Sequence, residues 1–306
     1  MQKRSFKSKP WELGASDIPS EIYFPRGMLG DEERRCLWWL GNHVFRGDGL
    51  IVDAGAFAGA SAFCLASGAS THNRRGKIVH SYDLFYALDQ YVADAITADF
   101  RPIGLNGSYR DVFDFQTGKY SGLIEAHGGD FLTHAWAGEP IEILFIDIAK
   151  TRELNSHTVR EFFPRLIPGH SIVIQQDFYH CWHPYIHLTM QYLKDYFEII
   201  DSHVLWQSRV YRLVKPLNEN DLKRIVDYDF SFHERFDLLS EFEAGESGDM
   251  QRMAAVVRLW DVVMTKNFDL FDRELARFRR LYPIDKQALW ETQINEIIDL
   301  VQTWRR

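Results

Sequence analysis

The sequence predicts an α/β fold in which buried parallel strands alternate with helices, followed by a helical extension. Two apolar runs, at residues 50–52 and 141–146, carry the β-branched residues typical of strands that are buried on both faces. Each run is followed directly by an aspartate, Asp53 or Asp147. From residue 218 onward no strand pattern recurs, and apolar residues repeat at helical spacing. The chain is therefore expected to combine an α/β domain with an all-helical region.

Composition and charge narrow the class of protein. The 306 residues exceed one typical domain, and 46% hydrophobic with 25% charged residues are ordinary values for a globular chain. A net charge of -8 argues against nucleic acid or an anionic membrane as the main partner. Three separated cysteines, Cys36, Cys64 and Cys181, suggest neither a disulfide framework nor a metal knuckle. Because the chain shows neither a signal-like apolar segment nor a membrane-length one, we expect a cytoplasmic protein.

A glycine-containing turn follows the first predicted strand and leads into a helix. The segment from residue 49 reads GLIVDAGAFAGASAFCLA, in which Gly55 and Gly59 mark the turn. Such a strand, turn and helix N-terminus lets a backbone approach a nucleotide-like ligand closely, although other α/β proteins have similar turns. A dinucleotide fingerprint starting at Gly55 requires glycine where Phe57 and Ala60 stand, and a P-loop requires a Gly-Lys-Ser/Thr ending that this turn lacks. Both phosphate-binding interpretations are weakened.

The remaining pattern, D-x-G-x-x-x-G-x-S, resembles the first motif of class I S-adenosylmethionine-dependent methyltransferases. The resemblance implies a Rossmann-like methyltransferase fold, with a mostly parallel seven-stranded sheet and a terminal antiparallel strand. In that family the turn lies against the methionine part of the cofactor. The residues of this turn that the resemblance implies as cofactor-binding are Asp53, Gly55, Ala56, Gly59 and Ser61.

Two further segments match the expected path of the cofactor. A strand predicted at residues 77–83 ends at Asp83, which is well placed to accept hydrogen bonds from ribose hydroxyls; alternatively, it caps a following turn. Leu84 follows it in the same ribose-side segment. The pair Gly129 and Asp130, with Phe131 after it, matches the glycine-acid turn that lies beside the adenine in the resembled family.

The acceptor side of the site is predicted from a second resemblance. The segment at residues 145–157 looks like the corresponding region of catechol and caffeoyl-coenzyme-A O-methyltransferases, and the layout also resembles macrocin-type sugar O-methyltransferases. The first resemblance implies Asp147 as a metal ligand and Lys150 as a base, although Lys150 could equally be an exposed lysine at a helix start. Gln176 and Asp177 fall where the family has Asp-Asn. Because glutamine removes a charge, a Mg²⁺ site formed by Asp147, Gln176 and Asp177 is weakened.

Three histidines follow the last of these residues at the spacing H-x-x-H-x-x-x-H. His183 and His187 would lie one helical turn apart, as in a transition-metal site. They could instead line the acceptor pocket, with one of them, such as His180, as a base, or they could be packing residues.

The sequence thus predicts three regions: an N-terminal surface arm at 1–30, a cofactor-binding methyltransferase domain at 31–217 and a helical region at 218–306. The expected reaction is methyl transfer from S-adenosylmethionine to oxygen of a sugar or small hydroxylated metabolite, with metal assistance left open. The helical region could mediate a homodimer. Two alternatives stay open: a catalytically inactive binding module whose helical tail engages a partner, and a nicotinamide-dependent oxidoreductase, which Phe57 disfavours.

Overall fold

The computed structural model describes residues 9–13, 17–73, 76–205, 207–285 and 288–306. The chain divides into two compact units. The sheet unit comprises Met1–Gln176 and Tyr196–Glu219, and the helical unit comprises Asp177–Asp195 and Asn220–Arg306. The predicted domain boundaries at 30/31 and 217/218 stay predictions, and the structure adds the 177–195 segment to the helical unit.

The sheet unit is built on a seven-stranded sheet with the order β3-β2-β1-β4-β5-β7-β6. β7 pairs antiparallel with both of its neighbours, whereas the pairs among the first five strands of this order are parallel. This arrangement confirms the predicted fold class, a mostly parallel sheet with a terminal antiparallel strand. The strands are β1 (Leu50–Ala54), β2 (Val79–Asp83), β3 (Ile124–Gly128), β4 (Ile141–Ile146), β5 (Ile172–Gln175), β6 (Phe197–Val204) and β7 (Ser208–Leu213).

The chain direction across the sheet reverses between β1 and β4, so the carboxyl ends of these neighbouring strands form a crevice of the kind that holds ligands in open α/β sheets. Residues 50–54 of β1 are all buried, as the apolar run predicts. The helices of this unit are α1 (Pro10–Leu13), α2 (Asp31–Trp39), α3 (Ala60–Ala69), α4 (Gln90–Asp99), α5 (Arg110–Thr117) and α6 (Arg152–Glu161), and a π-helical turn at Leu40–Val44 extends α2.

The segment predicted as a surface arm contributes to the core. Trp11 and Ile22 are completely buried in the main hydrophobic cluster, and the Trp11 ring lies 6.0 Å from that of Trp39 in an edge contact. The buried Arg34 guanidinium donates to the carbonyl oxygens of Ile22 and Pro25, at 3.0 and 2.6 Å. Proline breaks helical periodicity here, but the large apolar side chains still bury, and Arg34 satisfies the irregular backbone. Residues 1–8 and 14–16 of the predicted arm lie outside the described residues.

The helical unit buries apolar side chains of α10 along most of its length, including Val256, Val257 and Val262. The three amphipathic segments expected from the sequence are α10, α11 and α12. None of the described helices is both long and apolar enough to cross a membrane. The helices are α7 (Pro184–Tyr192), α8 (Glu219–Val226), which begins at the unit boundary, α9 (Phe232–Gly245), α10 (Gly248–Met264), α11 (Phe268–Leu281) and α12 (Leu289–Trp304).

Candidate cofactor site

The turn after β1 requires glycine at two positions. Gly55 and Gly59 have φ values of 101° and 97°, a left-handed region in which other residues are strained. A Cβ at Gly55 would lie 2.7 Å from the carbonyl oxygen of Asp147, and one at Gly59 would lie 2.7 Å from Cγ2 of Thr117. The turn therefore packs directly against the end of β4 on one side and against α5 on the other.

Most of the turn's amides are used inside the protein. The N–H groups of Gly55 and Ala56 donate to the Tyr82 carbonyl oxygen at 2.9 and 3.0 Å. The Phe57 N–H donates to Asp83 Oδ2 at 2.8 Å, and the Gly59 N–H donates to the Ala56 carbonyl oxygen at 2.8 Å. A phosphate cradle needs backbone amides that point at the ligand, and these four do not. These four amides are therefore not available to a phosphate.

Asp53, in β1 just before this turn, is a completely buried carboxylate. Ser81 Oγ donates to its Oδ2 at 3.0 Å, and Ser61 also bonds to it, whereas Oδ1 has no hydrogen-bond partner among the described residues. Burial raises the pKa of Asp53 to about 7, and the nearby charges of Asp147 and Asp83 add to the shift against the lowering effect of the two serines. The predicted role of Ser61 as a cofactor ligand stays a prediction; in the structure its hydroxyl bonds to Asp53.

Three carboxylates follow neighbouring strands at the same edge of the sheet. Asp83 ends β2, Asp53 lies in β1, and Asp147 follows β4 directly. We call these three residues the acidic rim. Such a cluster repels anions and favours a positively charged ligand.

Asp83 already accepts several hydrogen bonds. In addition to the Phe57 amide, its Oδ1 accepts from the Phe85 N–H at 2.8 Å and from the Tyr109 hydroxyl at 2.6 Å. A carboxylate has about four acceptor positions, so these bonds leave about one for a ribose hydroxyl. Sequence reasoning missed Tyr109, whose pKa is raised by burial and by the negative charge of Asp83.

The predicted adenine-side turn lies beside the ribose-side strand. The Gly129 N–H donates to the backbone carbonyl oxygen of Asp83 at 3.1 Å, and Gly129 has a φ of 117°. Asp130 is exposed, and its Oδ1 caps a short turn by accepting from the Leu132 N–H. The Phe131 ring is 3% exposed and stacks on Phe162 at 5.4 Å, so it is a packing residue beside the turn. Leu84 is half-buried next to Asp83.

A histidine pair that sequence reasoning missed lies on β2 and β3. His80 Nδ1 is 2.9 Å from His127 Nε2, and the His127 ring stacks on Tyr82 at 4.4 Å. Burial, together with the charge of His80, lowers the pKa of His127 to about 4. His127 is therefore a neutral packing residue near pH 7. The pattern of polar and apolar residues along β2 and β3 did not indicate that these two histidine rings would come into contact.

The predicted acceptor residues of the sheet unit are brought together. Lys150 Nζ lies 2.7 Å from Asp147 Oδ1 and 3.5 Å from Gln176 Oε1. Asp177 is the first residue of the helical unit and has a left-handed φ of 55°. Its part in a metal site with Asp147 and Gln176 stays a prediction.

The histidines of the helical unit do not act as one cluster. His187 is 1% exposed, and its two ring nitrogens face the backbone carbonyl oxygens of Phe178 and His183. This is the packing role that the sequence analysis left open. The His180 and His183 rings lie 5.4 Å apart, and His183 Nδ1 is 2.7 Å from the Tyr185 hydroxyl. The catalytic role of His180 stays a prediction.

A second group of ligand-type atoms lies at the opposite, amino-terminal edge of the sheet. Side-chain atoms of Asp48, Glu142 and His170 lie within 4.8 Å of one another. However, the buried Glu142 carboxylate already accepts the backbone N–H groups of Arg46, Gly47 and Gly49, in addition to its contact with His170. This group therefore anchors the loop before β1.

The fold and the turn define a Rossmann-like α/β protein, and solved structures with a similar fold are methyltransferases. The O-methyltransferase NovP is 17% identical over 62% of this chain and 82% of its own, with a TM-score of 0.48. CalS11, a TDP-rhamnose 3'-O-methyltransferase of calicheamicin biosynthesis, is 15% identical over 68% and 92%, with a TM-score of 0.41. An O-methyltransferase from Bacillus cereus, solved in complex with SAH, is 14% identical over 70% and 92%, with a TM-score of 0.38.

Neither a protein-family model nor a curated protein sequence matches the chain. Because these three structures are all below 20% identity and below a TM-score of 0.5, they assign no activity to it. An assignment of function has to come from the chain's own residues.

Proposed function

We propose that this protein is an S-adenosylmethionine-dependent methyltransferase that acts on a hydroxyl group of a sugar or small metabolite. The observation that carries the proposal is Asp53, a buried carboxylate with one oxygen that has no hydrogen-bond partner among the described residues. Leaving such a group without a partner costs about 1–3 kcal/mol or more, so a ligand that supplied the missing contact would bind favourably here. Its setting in the acidic rim favours a ligand with positive charge.

The chemistry of the rim fits this cofactor better than its phosphate-bearing alternatives. S-adenosylmethionine carries a sulfonium, an ammonium and a ribose diol, and it supplies the methyl group when bound. Asp53 would hold a positive group of the cofactor, Asp83 would accept from a ribose hydroxyl, and the turn at Gly129 would flank the adenine. Gly55 and Gly59 keep side chains out of the turn, so that the cofactor can approach the backbone.

Asp147 and Lys150 would act on the acceptor. Methyl transfer to oxygen requires that the hydroxyl be held in line and that its proton be removed. In place of the base role that the resemblance implies for it, Lys150, paired with Asp147 at 2.7 Å, would donate a hydrogen bond to the acceptor oxygen, and the Asp147 carboxylate would accept the hydroxyl proton. His180 and Asp177, both in the helical unit, remain proposed contributors, as does the helical region as a homodimer contact.

Calorimetric titration of the full chain with S-adenosylmethionine tests the proposal. We expect one cofactor per chain for the unmodified protein and for Asp114→Asn, which alters an exposed carboxylate of α5 paired with Arg110. Asp53→Asn should weaken binding at least about tenfold, since a charge-assisted contact contributes about 1.5–3 kcal/mol. Absence of cofactor binding, or equal binding by Asp53→Asn, would contradict the proposal.

A panel of sugars, nucleotide sugars and phenols, followed by mass spectrometry for the gain of one methyl group, tests turnover. Cofactor binding without methylation of any hydroxylated acceptor would favour the inactive binding module.

A further inference from the structure

We infer that the ammonium group of Lys150 takes the place of a metal cation beside Asp147 and Gln176, and that these residues bind no divalent metal ion. The inference concerns the acceptor side of the proposed methyltransferase and therefore rests on that proposed function. It departs from the Mg²⁺ site that the sequence resemblance implies.

The position of the amine carries the inference. Nζ of Lys150 lies 2.7 Å from Asp147 Oδ1 and 3.5 Å from Gln176 Oε1. These two oxygens are the sheet-unit atoms that the resemblance implies as metal ligands. Mg²⁺ binds oxygen ligands at about 2.0–2.1 Å in octahedral geometry, so an ion shared by them would have to displace the lysine amine. The residues as arranged do not fit the metal.

Charge supports the same conclusion. Gln176 is neutral, so this pair of residues presents one negative charge, from Asp147. A single ammonium charge balances it, which leaves these two oxygens little attraction for a divalent ion. A lysine point charge with three donors can bind both oxygens and still donate to an acceptor hydroxyl.

The backbone on each side of Lys150 is fixed by hydrogen bonds. The Asp147 N–H donates to the Ala54 carbonyl oxygen at 2.7 Å, and the Lys150 N–H donates to the Ile148 carbonyl oxygen at 2.7 Å. Thr151 then caps α6 by accepting from the Leu154 N–H at 3.2 Å. The segment between β4 and α6 is thus tied at both ends, and the Lys150 amine, on a side chain that is 43% exposed, lies against Asp147.

Binding of Mn²⁺, measured by electron paramagnetic resonance and by calorimetry on the full chain, tests the inference without relying on activity. The variants are Lys150→Met, which keeps the aliphatic stem, Gln176→Asp, which restores a second carboxylate, and the double variant. We expect the unmodified chain to bind Mn²⁺ weakly and the double variant to bind it at least about tenfold more tightly, since affinity follows the charge and number of the ligands. Adding Asp147→Asn to the double variant should abolish this gain.

Tight, stoichiometric Mn²⁺ binding by the unmodified chain that is lost in Asp147→Asn or in Asp177→Asn would overturn the inference. A double variant that gains nothing, or that keeps its gain without Asp147, would overturn it as well. Each sample is also titrated with S-adenosylmethionine. A chain that does not bind the cofactor contradicts the proposed function, whereas the Mn²⁺ result decides the role of Lys150 on its own. If methyl transfer is observed, it should persist in excess chelator.

Discussion

Two buried carboxylates, Glu243 of the helical unit and Asp53 of the sheet unit, have opposite electrostatic surroundings. In the helical unit, Glu243 is 3% exposed and accepts from Arg258 Nε at 2.9 Å, from Arg277 Nη2 at 3.1 Å and from the Tyr282 hydroxyl at 3.0 Å. Although burial raises its pKa, the two guanidinium groups prevail and the pKa of Glu243 is lowered. In the sheet unit, Asp53 has hydroxyl partners and acidic neighbours, and its pKa is raised to about 7.

The difference separates a structural charge from one that is kept for a ligand. Burying a charge is tolerated when a partner charge and hydrogen bonds are supplied, as the two arginines do for Glu243. At Asp53 the neighbouring carboxylates of Asp83 and Asp147 make burial more costly. A buried carboxylate that lacks a compensating positive charge and lies next to a glycine turn is what we expect of a binding site for a cation.

The largest effect on stability is expected when the charge of Glu243, which pairs with the two arginines, is removed. Glu243→Gln leaves the 2% exposed Arg258 with reduced compensation and should lower the free energy of unfolding by about 3 kcal/mol. Chemical denaturation followed by circular dichroism measures it. Glu241→Gln on the same helix removes an exposed pair with Lys194 and should cost about 0.5 kcal/mol or less. Equal losses in the two variants would show that Glu243 is not a compensated buried charge.

Asp53→Asn should act in the opposite direction. The folded-state pKa of Asp53 is about 7 and the ordinary value is 3.8. The free energy of unfolding is therefore highest at low pH, where Asp53 is protonated in both states, and it falls as pH rises from about 4 to about 7. The neutral isostere avoids this loss, so it should raise the free energy of unfolding by a few kcal/mol at pH 8 and change it little at pH 4. Denaturation at the two pH values checks the sign. A variant that is less stable at pH 8 would mean that Asp53 is compensated in the protein without a ligand.

The affinity for S-adenosylmethionine should follow the ionisation of the same group. With a pKa of about 7, the ionised fraction of Asp53 increases about tenfold from pH 6 to pH 8, and the affinity should increase by about the same factor. At pH 7, binding should release about half a proton per cofactor, which calorimetry in buffers of different ionisation enthalpy detects. Ser81→Ala removes a hydroxyl donor from Oδ2 and should move the profile to higher pH. A flat affinity profile in the unmodified chain would exclude Asp53 as the titrating contact.

The comparison also shows which features the sequence can reveal. The strands β1 and β4 are local apolar runs next to Asp53 and Asp147, so these strands and their acidic ends could be predicted from the residue pattern, whereas the seven-stranded sheet followed from the family resemblance. The partners of those carboxylates could not. Tyr109 reaches Asp83 from a stretch at 86–118 without clear periodicity, because the packing of α5 brings it there. Similarly, the regular spacing of the histidines suggested a cluster, whereas the burial of His187 depends on distant helices.

The smallest effect is expected at the tyrosine that the sequence did not reveal. Tyr109→Phe removes a hydroxyl that donates to Asp83 Oδ1 at 2.6 Å, while the ring keeps its edge contact with Phe57 at 5.4 Å. A single such bond contributes about 1 kcal/mol, so the free energy of unfolding should fall by about that amount. The vacated acceptor position should leave the affinity for S-adenosylmethionine unchanged or improve it a few-fold, because a ribose hydroxyl can use it. If affinity instead falls as far as in Asp53→Asn, Tyr109 is part of the cofactor contact itself, and the acidic rim alone does not account for binding.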